Sequence, residues 1–364
     1  ANNPMQALTL IMPVYGREEY THRNMRYFSG TDFILHVIDG SPLEIKKSDL
    51  EIYDENIHYH YIPKSINERL MYALNLVKTQ YVSLISNDDI FLKNGLHACV
   101  NELDKDMELV SCGGCAMRFN YNNGKINAFV TFPEMINSNL ADEDPIVRMY
   151  NHFDNYAPSH VYSVTRTDVW KRACYDLLKK ENNISEGVFE QLYEISVVFF
   201  GKTKVLKRLV WCRSAEVESV GYAERYNTEI YGRMKACWYD KNYSEQKNNF
   251  LDMLAINFAD SQEEYTFNEV RNGIIEALNC YADKSVPSTS SSLLKKNIPF
   301  LYKIIDSILY RLINKYQSIP GGDLVEGLES LKAKGVYVDS KEMNEFSNTI
   351  NDFHKNKLKK TTRA

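Results

Sequence analysis

The chain opens on an apolar run, Leu8-Thr9-Leu10-Ile11-Met12-Pro13-Val14, and returns to short, mostly apolar runs at Phe33 to Ile38 and Tyr81 to Ile85, with a further strand expected at Ile57 to Ile62. Runs of this length bounded by polar residues read as strands buried on both faces. Between them, Glu18 to Phe28 and the stretch from Ser65 to about Lys78 carry helical spacing. Ser65-Ile66-Asn67-Glu68 is a capping box, in which hydroxyl and carboxylate satisfy the first free N–H groups of a helix. Asp39-Gly40-Ser41-Pro42 supplies turn chemistry after the second strand. Strand and helix alternating over residues 8–90 predict right-handed βαβ units and a parallel sheet.

Beyond Asp89 the pattern changes. Leu92 to Lys105 reads as a helix, and Met117 to Tyr121 with Lys125 to Thr131 flank Asn122-Asn123-Gly124, a hairpin signal. Asp142 to Ser159 is polar and reads as a long loop or lid, and His160 to Val164 as a strand. Thr167-Asp168 opens a helix to about Lys179, Ile184 to Phe200 is another, and Lys204 to Trp211 a further strand. From about Arg225 the chain reads as helical, with a second capping box at Thr266-Phe267-Asn268-Glu269. Ser285 to Ser292 is a low-complexity linker, after which Leu301, Ile304, Ile305, Ile308, Leu309, Leu312, Ile313 and Tyr316 recur at helical spacing. The expected organisation is a catalytic α/β unit over 1–220, a helical extension over 221–284, a linker over 285–292 and a helical region over 293–364.

The most informative stretch is Tyr81 to Phe91, where a buried strand ends in Asn87-Asp88-Asp89. Open α/β sheets bind ligands at the carboxyl ends of their strands. Hard carboxylate oxygens there suit Mg²⁺ or Mn²⁺ completed by substrate phosphates, pointing to a nucleoside diphosphate compound. Taken alone, Asp-Asp after a strand is also an ordinary solvated turn or helix cap.

Composition narrows the field. The chain has 364 residues, 44% hydrophobic and 25% charged, which fits a globular protein of more than one packed unit. A net charge of −5 argues against a general nucleic-acid binder. Seven scattered cysteines make no disulfide framework, and the single CxxC, Cys112-Gly113-Gly114-Cys115, lacks the second ligand pair of a zinc site, so it reads as buried thiols beside a Gly-Gly kink. The polar start shows no signal peptide and no run of 18 apolar residues is present, so a cytoplasmic protein is expected.

Met12-Pro13-Val14-Tyr15-Gly16-Arg17-Glu18 resembles the first strand and loop of family 2-like glycosyltransferases with the GT-A fold. Asp39-Gly40-Ser41 resembles their second-strand segment, Asn67, Ala73, Asn75 and Gln80-Tyr81-Val82 the approach to their DxD motif, and Ser86-Asn87-Asp88-Asp89 falls on that motif. The resemblance covers residues 7–215 and departs from the family at Ser86, where the first Asp is expected. It implies a GT-A, Rossmann-like mixed sheet flanked by helices, followed by a mostly helical region. It implies a metal-dependent transferase taking a sugar from a nucleoside-diphosphate donor, with UDP favoured, to a glycan or lipid-linked acceptor of a surface polysaccharide, with inversion.

On that resemblance, Asp88 holds Mn²⁺ or Mg²⁺, and Asp89 contacts a metal-bound water or the donor sugar and counts with the catalytic groups. Pro13, Val14, Tyr15, Glu18, Asp39, Arg69 and Asn87 join Asp88 at the donor, with Arg69 directed at a phosphate. An inverting transferase needs a carboxylate to take the acceptor proton, and Glu186 falls at the family's position, with Glu190 second. His160, Trp211 and Arg213 fall on the acceptor side. Each also has an ordinary reading: Asp39 as a turn residue, Glu18 as a first-turn acid, Arg69 on the surface, His160 and Trp211 in the core. Lys295, Lys296, Lys303, Arg311 and Lys315, with the basic tail from Lys355 to Arg363, suggest a helix that packs on a neighbour or second subunit, or lies on an anionic membrane. The competing readings are an inactive GT-A-like scaffold, favoured by Ser86, and a sugar nucleotidyltransferase, for which Gly16-Arg17 is too short a phosphate loop.

Overall fold

The structure is a computed structural model and describes residues 8–182, 184, 186–216, 234, 238–284 and 322–361, with the backbone alone at Glu186 and beyond residue 357. Leu8–Val14 (β1), Ile34–Asp39 (β2), Ile57–Tyr61 (β3) and Tyr81–Leu84 (β4) pair in parallel in the order β3-β2-β1-β4. Alternation along β1 sends Leu10, Met12 and Val14 to one core and Ile11 to the other, so both faces of the sheet are covered. The helices between them are Glu18–Phe28 (α1), the short Lys47–Leu50 (α2) and Ile66–Leu76 (α3), and the capping box of α3 forms as expected.

The sheet then changes direction. Ile90–Phe91 (β5) runs antiparallel to Lys202–Ser214 (β10), which runs parallel to Leu109–Asn122 (β6). Val164–Arg166 (β9) joins the halves by pairing antiparallel with β4 and β6. Lys125–Thr131 (β7) closes the expected hairpin on β6, with Asn123 and Gly124 at φ 51° and 75°, the left-handed pair such a turn requires. Asn139–Leu140 (β8) pairs with β10. The result is the expected mixed sheet flanked by helices, with ten strands among the described residues. The thiols of Cys112 and Cys115 are buried on β6 as expected, but Gly113 and Gly114 serve close packing rather than a kink. A Cβ there would lie 2.3 Å from Ser163 Oγ and 2.1 Å from Val210 Cγ2.

Two readings are corrected. Residues 142–159 are not a lid: Pro145–Asp154 forms a helix (α5), started by Asp144, whose carboxylate accepts from Ile146 N and Val147 N. Its apolar stripe escaped notice because Arg148 and His152 are buried alongside Met149 and Phe153. His160 to Ser163 is a turn rather than a strand, closed by Ser163 N donating to His160 O at 3.1 Å. Lys93–Lys105 (α4), Thr167–Leu178 (α6) and Glu186–Phe200 (α7) fall where expected, and Ser244–Ala259 (α8) and Phe267–Asp283 (α9) pack against the α5–α7 side.

The expected linker and the apolar helix of 293–317 lie outside the described residues. Leu324–Ala333 (α10) and Ser340–Thr361 (α11) return to the first core, burying Leu331, Phe346 and Ile350. Phe346 meets Phe119 edge-on at 5.0 Å, and His354 stacks on Tyr121 at 4.0 Å. Among the described residues no helix is long and apolar enough to cross a membrane.

Candidate active site

The strand order reverses about β1, since the chain leaves β1 for β2 on one side and comes back to β4 on the other. The carboxyl ends of these strands are the position at which such sheets take ligands. The loop Ser86 to Asp89 lies there and is fixed from below by α1. Asn24, fully buried, donates through Nδ2 to the carbonyls of Ser86, Asn87 and Asp89 at 3.2, 2.7 and 3.1 Å. Arg23 donates to the carbonyl of Asp88 at 2.5 Å and pairs with Glu216 at 3.2 Å, and Glu216 also meets His354 of α11. Sequence reading missed Arg23, Asn24 and Glu216. The available signal was an Asn one turn after Tyr20 and one before Phe28, on the face α1 buries.

The side chains of the loop point three ways. Asp88 takes Arg17 Nη1 on Oδ2 at 2.9 Å and the Ser86 hydroxyl on Oδ1, while Asn87 Oδ1 takes Arg17 Nη2 at 2.8 Å. Asp89 is turned away from these two. Its carboxylate accepts Trp211 Nε1–H at 2.7 Å and Ser214 N–H at 2.8 Å, because β5, which it precedes, runs beside β10. Burial, and next the charge of Asp88, push the Asp89 carboxyl up to about 7 against the pull of those two donors. This corrects the expected direct role of Asp89, which is held inside. Trp211 is corrected with it: buried and stacked on Phe132 and Phe91, it offers no face to a sugar and holds Asp89 instead.

A divalent ion fits the expected position poorly. A Mg²⁺ ion wants oxygens at about 2.0–2.1 Å in near-octahedral order, whereas Ser86 supplies no second carboxylate and both Asp88 oxygens already hold protein donors. Two unit charges about 4 Å apart interact by about 4 kcal/mol at an effective dielectric of about 20, so a dication beside the guanidinium meets roughly twice that in repulsion.

The remaining donor-side expectations divide. Tyr15 stands exposed at the end of β1 beside the half-buried Pro13, whereas the side chain of Val14, expected at the donor, is buried in the core instead. Glu18 pairs with His22 one turn on, at 3.4 Å, and lines an outer groove with Arg26 and Asp49. Asp39 is buried, its oxygens accepting Ser41 N–H at 2.7 Å and the Tyr59 hydroxyl at 2.6 Å, so it shapes the turn rather than meeting a ligand. Arg69 is corrected outright: it is buried and donates to the carbonyls of Val14, Ile38 and Lys64 at 2.6, 3.1 and 3.2 Å. It ties the ends of β1 and β2 together and leaves Gly40 no room for a side chain, since a Cβ there would lie 2.5 Å from its Nε.

On the other side a cleft of about 480 Å³ is lined by Glu190, Arg213, Tyr156, Phe132, Tyr281 and Lys284 among others. Arg213 lies over the ring of Phe132 at 5.2 Å, and Tyr156 donates to Glu190 at 2.7 Å. Tyr162, half-buried against Phe91 and Trp211, has its hydroxyl pushed up by desolvation and then by the charges of Asp89, Asp88 and Glu190, so the cleft and the loop share one electrostatic neighbourhood. Glu186 begins α7, and its side chain lies outside what is described.

His160 does not line this cleft. It is buried in a cluster with His152 and Glu194. Glu194 Oε1 accepts the N–H groups of His160 and Val161, both at 2.7 Å, and Oε2 meets His160 Nδ1 at 2.6 Å and His152 Nε2 at 2.8 Å. Facing a carboxylate, His160 Nδ1 and His152 Nε2 each carry a proton, and His160 Nε2 meets the Thr203 hydroxyl at 2.7 Å. Burial alone would raise the Glu194 carboxyl, but the charge of His160 and the bonds from both imidazoles outweigh it and hold it down to about 2. The three groups are ligand types for a metal, but ligands on a tetrahedral ion stand about 3.3 Å apart, and these pairs are at hydrogen-bond distance.

No protein-family model matches the chain, and no curated protein matches it. Among solved structures the chain is similar to residues 1–349 of S. aureus TarS, 13% identical over 76% of this chain and 89% of that one, with a TM-score of 0.44. The same TarS fragment is known with UDP, at a TM-score of 0.42, and with UDP-GlcNAc, at 0.43. The mannosyltransferase PcManGT from Pyrobaculum calidifontis, in complex with GDP-Man and Mn²⁺, is 11% identical over 84% of this chain and 85% of that one, with a TM-score of 0.39. These likenesses are distant.

Proposed function

We propose that the protein is a glycosyltransferase that moves a sugar from a nucleoside-diphosphate donor to a glycan or lipid-linked acceptor, with inversion, at the cytoplasmic face of a membrane. The observation that carries this is the Ser86 to Asp89 loop, clamped by Asn24 and Arg23 at the carboxyl ends of β1 and β4, next to a cleft lined by Glu190 and Arg213, together with Glu134 and an Asp154 that pairs with Lys284. The donor's base and ribose lie against Pro13 and Tyr15. Its diphosphate meets the Arg17, Asn87 and Asp88 corner. A Mn²⁺ or Mg²⁺ ion at Asp88 would supply Lewis-acid stabilisation of the leaving diphosphate, but the occupied Asp88 oxygens leave no step here that depends on it.

In the transfer, the bond between the anomeric carbon and the phosphate oxygen breaks, and its electron pair leaves on the nucleoside diphosphate. The acceptor oxygen bonds to that carbon from the opposite face and gives up its proton to a carboxylate. We take Glu190, which lines the cleft, for that role, with Glu186, whose side chain lies outside what is described, as the other candidate at the start of the same helix. Arg213 supplies positive charge to the acceptor side. Thermal unfolding with UDP, GDP, CDP and dTDP tests the donor reading: a ligand at about 100 times its dissociation constant adds about 2.7 kcal/mol, several degrees by the usual scaling. Glu190→Gln is expected to leave that shift in place and to cost transfer at least about 100-fold, the usual range for a general base. No shift with any nucleotide overturns the reading.

A further inference from the structure

The Arg17 side chain occupies the place at which a cation is expected. Its guanidinium bridges two residues of the loop, with Nη1 on Asp88 Oδ2 at 2.9 Å and Nη2 on Asn87 Oδ1 at 2.8 Å. The chain is built to hold it there. Gly16 and Arg17 both have left-handed backbone, at φ 64° and 53°, and a non-glycine residue accepts that conformation only against a steric penalty. The Gly16 N–H is tied to Ser41 Oγ at 2.7 Å, which anchors the loop to the turn after β2. The Arg17 carbonyl then starts α1 by accepting from Tyr20 N at 3.0 Å. The outcome is a side chain reaching from the end of β1 to the end of β4, 19% exposed and so within reach of a ligand. Ser86, where the resembling family carries a carboxylate, turns its hydroxyl onto the other Asp88 oxygen. One carboxylate, one guanidinium and one hydroxyl make a balanced group with no surplus negative charge to attract a dication. Each Nη keeps a second N–H suited to a phosphate oxygen.

We propose that Arg17 is the cation of this site: it binds the donor's diphosphate directly and stabilises the leaving nucleoside diphosphate, so that donor binding and transfer need no metal ion. This rests on the donor reading above. Asp88 and Asn87 then act as positioning residues that aim the guanidinium.

The test uses the full chain, with UDP, GDP, CDP and dTDP as nucleotide probes and Mn²⁺ alone as a further probe. Nucleotide affinity is measured by calorimetry in EDTA and in Mn²⁺, and Mn²⁺ binding to the nucleotide-free protein by the loss of its free-ion electron paramagnetic resonance signal. The expected result is one nucleotide that binds equally in EDTA and Mn²⁺, with an undiminished free Mn²⁺ signal. Arg17→Ala weakens that binding at least about tenfold, and Arg17→Lys restores part of it. Arg17→Gly weakens it like Arg17→Ala while relieving the backbone strain, so it separates loss of the guanidinium from loss of folding. The proposal is overturned if the nucleotide needs Mn²⁺ and Arg17→Ala leaves its affinity unchanged, or if the protein takes up one equivalent of Mn²⁺ that Asp88→Asn abolishes. Those results leave the donor reading standing, whereas no binding of UDP, GDP, CDP or dTDP under either condition overturns both.

Discussion

Two buried carboxylates, Asp89 beside the candidate donor site and Glu194 in the core between α5, α7 and the turn at His160, are held in opposite states. Both are almost inaccessible, at 5% and 0% exposure. Glu194 receives two backbone N–H groups and two imidazoles, and its carboxyl falls to about 2. Asp89 receives one backbone N–H and one indole N–H but sits next to Asp88, and its carboxyl rises to about 7. Depth of burial therefore does not decide the charge of a carboxylate. The number of donors and the sign of the nearest charge do. Glu194 acts as a structural staple, charged at every working pH. Asp89 is an acid on the edge of ionisation, supported by β10 and placed beside the residues expected to meet the diphosphate.

The largest effect that would break this comparison is expected from Glu194→Ala. It strands two imidazoles and two N–H groups in the core, and removing one partner of a buried charged network costs about 3–5 kcal/mol. Chemical denaturation of the variant measures it, and a loss under about 1 kcal/mol would show that Glu194 is no staple.

The pH dependence of stability sharpens the contrast further. For Glu194 the folded carboxyl lies below its ordinary 4.5, so its contribution is present above about 4.5 and is lost as pH falls toward 2. For Asp89 the folded carboxyl lies above its ordinary 3.8, so its protonated form favours the fold, and that contribution declines as pH rises from about 4 to 7. At about 1.4 kcal/mol per unit, the span amounts to at most about 3.5 kcal/mol for Glu194 and about 4.5 kcal/mol for Asp89. Denaturation from pH 4 to 8 is expected to show a falling limb in the wild type that Asp89→Asn flattens. An unchanged slope in that variant would mean that Asp89 is ionised throughout.

The smallest effect is expected from Trp211→Phe. It removes one donor to Asp89 while retaining most of the ring packing, at a cost of about 1–2 kcal/mol. Without the indole N–H the Asp89 carboxyl moves higher still, so the falling limb shifts to higher pH. A shift to lower pH would mean that the indole does not donate to the carboxylate.

Much of this molecule was legible in its sequence. Strand alternation and capping boxes located β1 to β4 and α3, because apolar period and cap chemistry act within one element. The loop 86–89 was found because two carboxylates at a strand end are conspicuous in one dimension. The helix α5 was missed because its buried face includes Arg148 and His152, whose partners come from 40–50 residues away: Arg148 meets the carbonyls of Val198 and Phe199, and His152 meets Glu194.

What the sequence determined by itself was the list of elements and the types of reactive group at the strand ends, since both follow from local spacing. Tertiary structure alone decided what each group faces. It turned Arg69 inward onto three carbonyls, set Asp39 on Tyr59, sent Asp89 to Trp211 and brought Arg17 across to Asp88. Such choices depend on which strands lie side by side. In a sheet ordered β3-β2-β1-β4-β9-β6-β10-β5, neighbours in space are distant in sequence, and the charge and reach of a side chain are set by those neighbours.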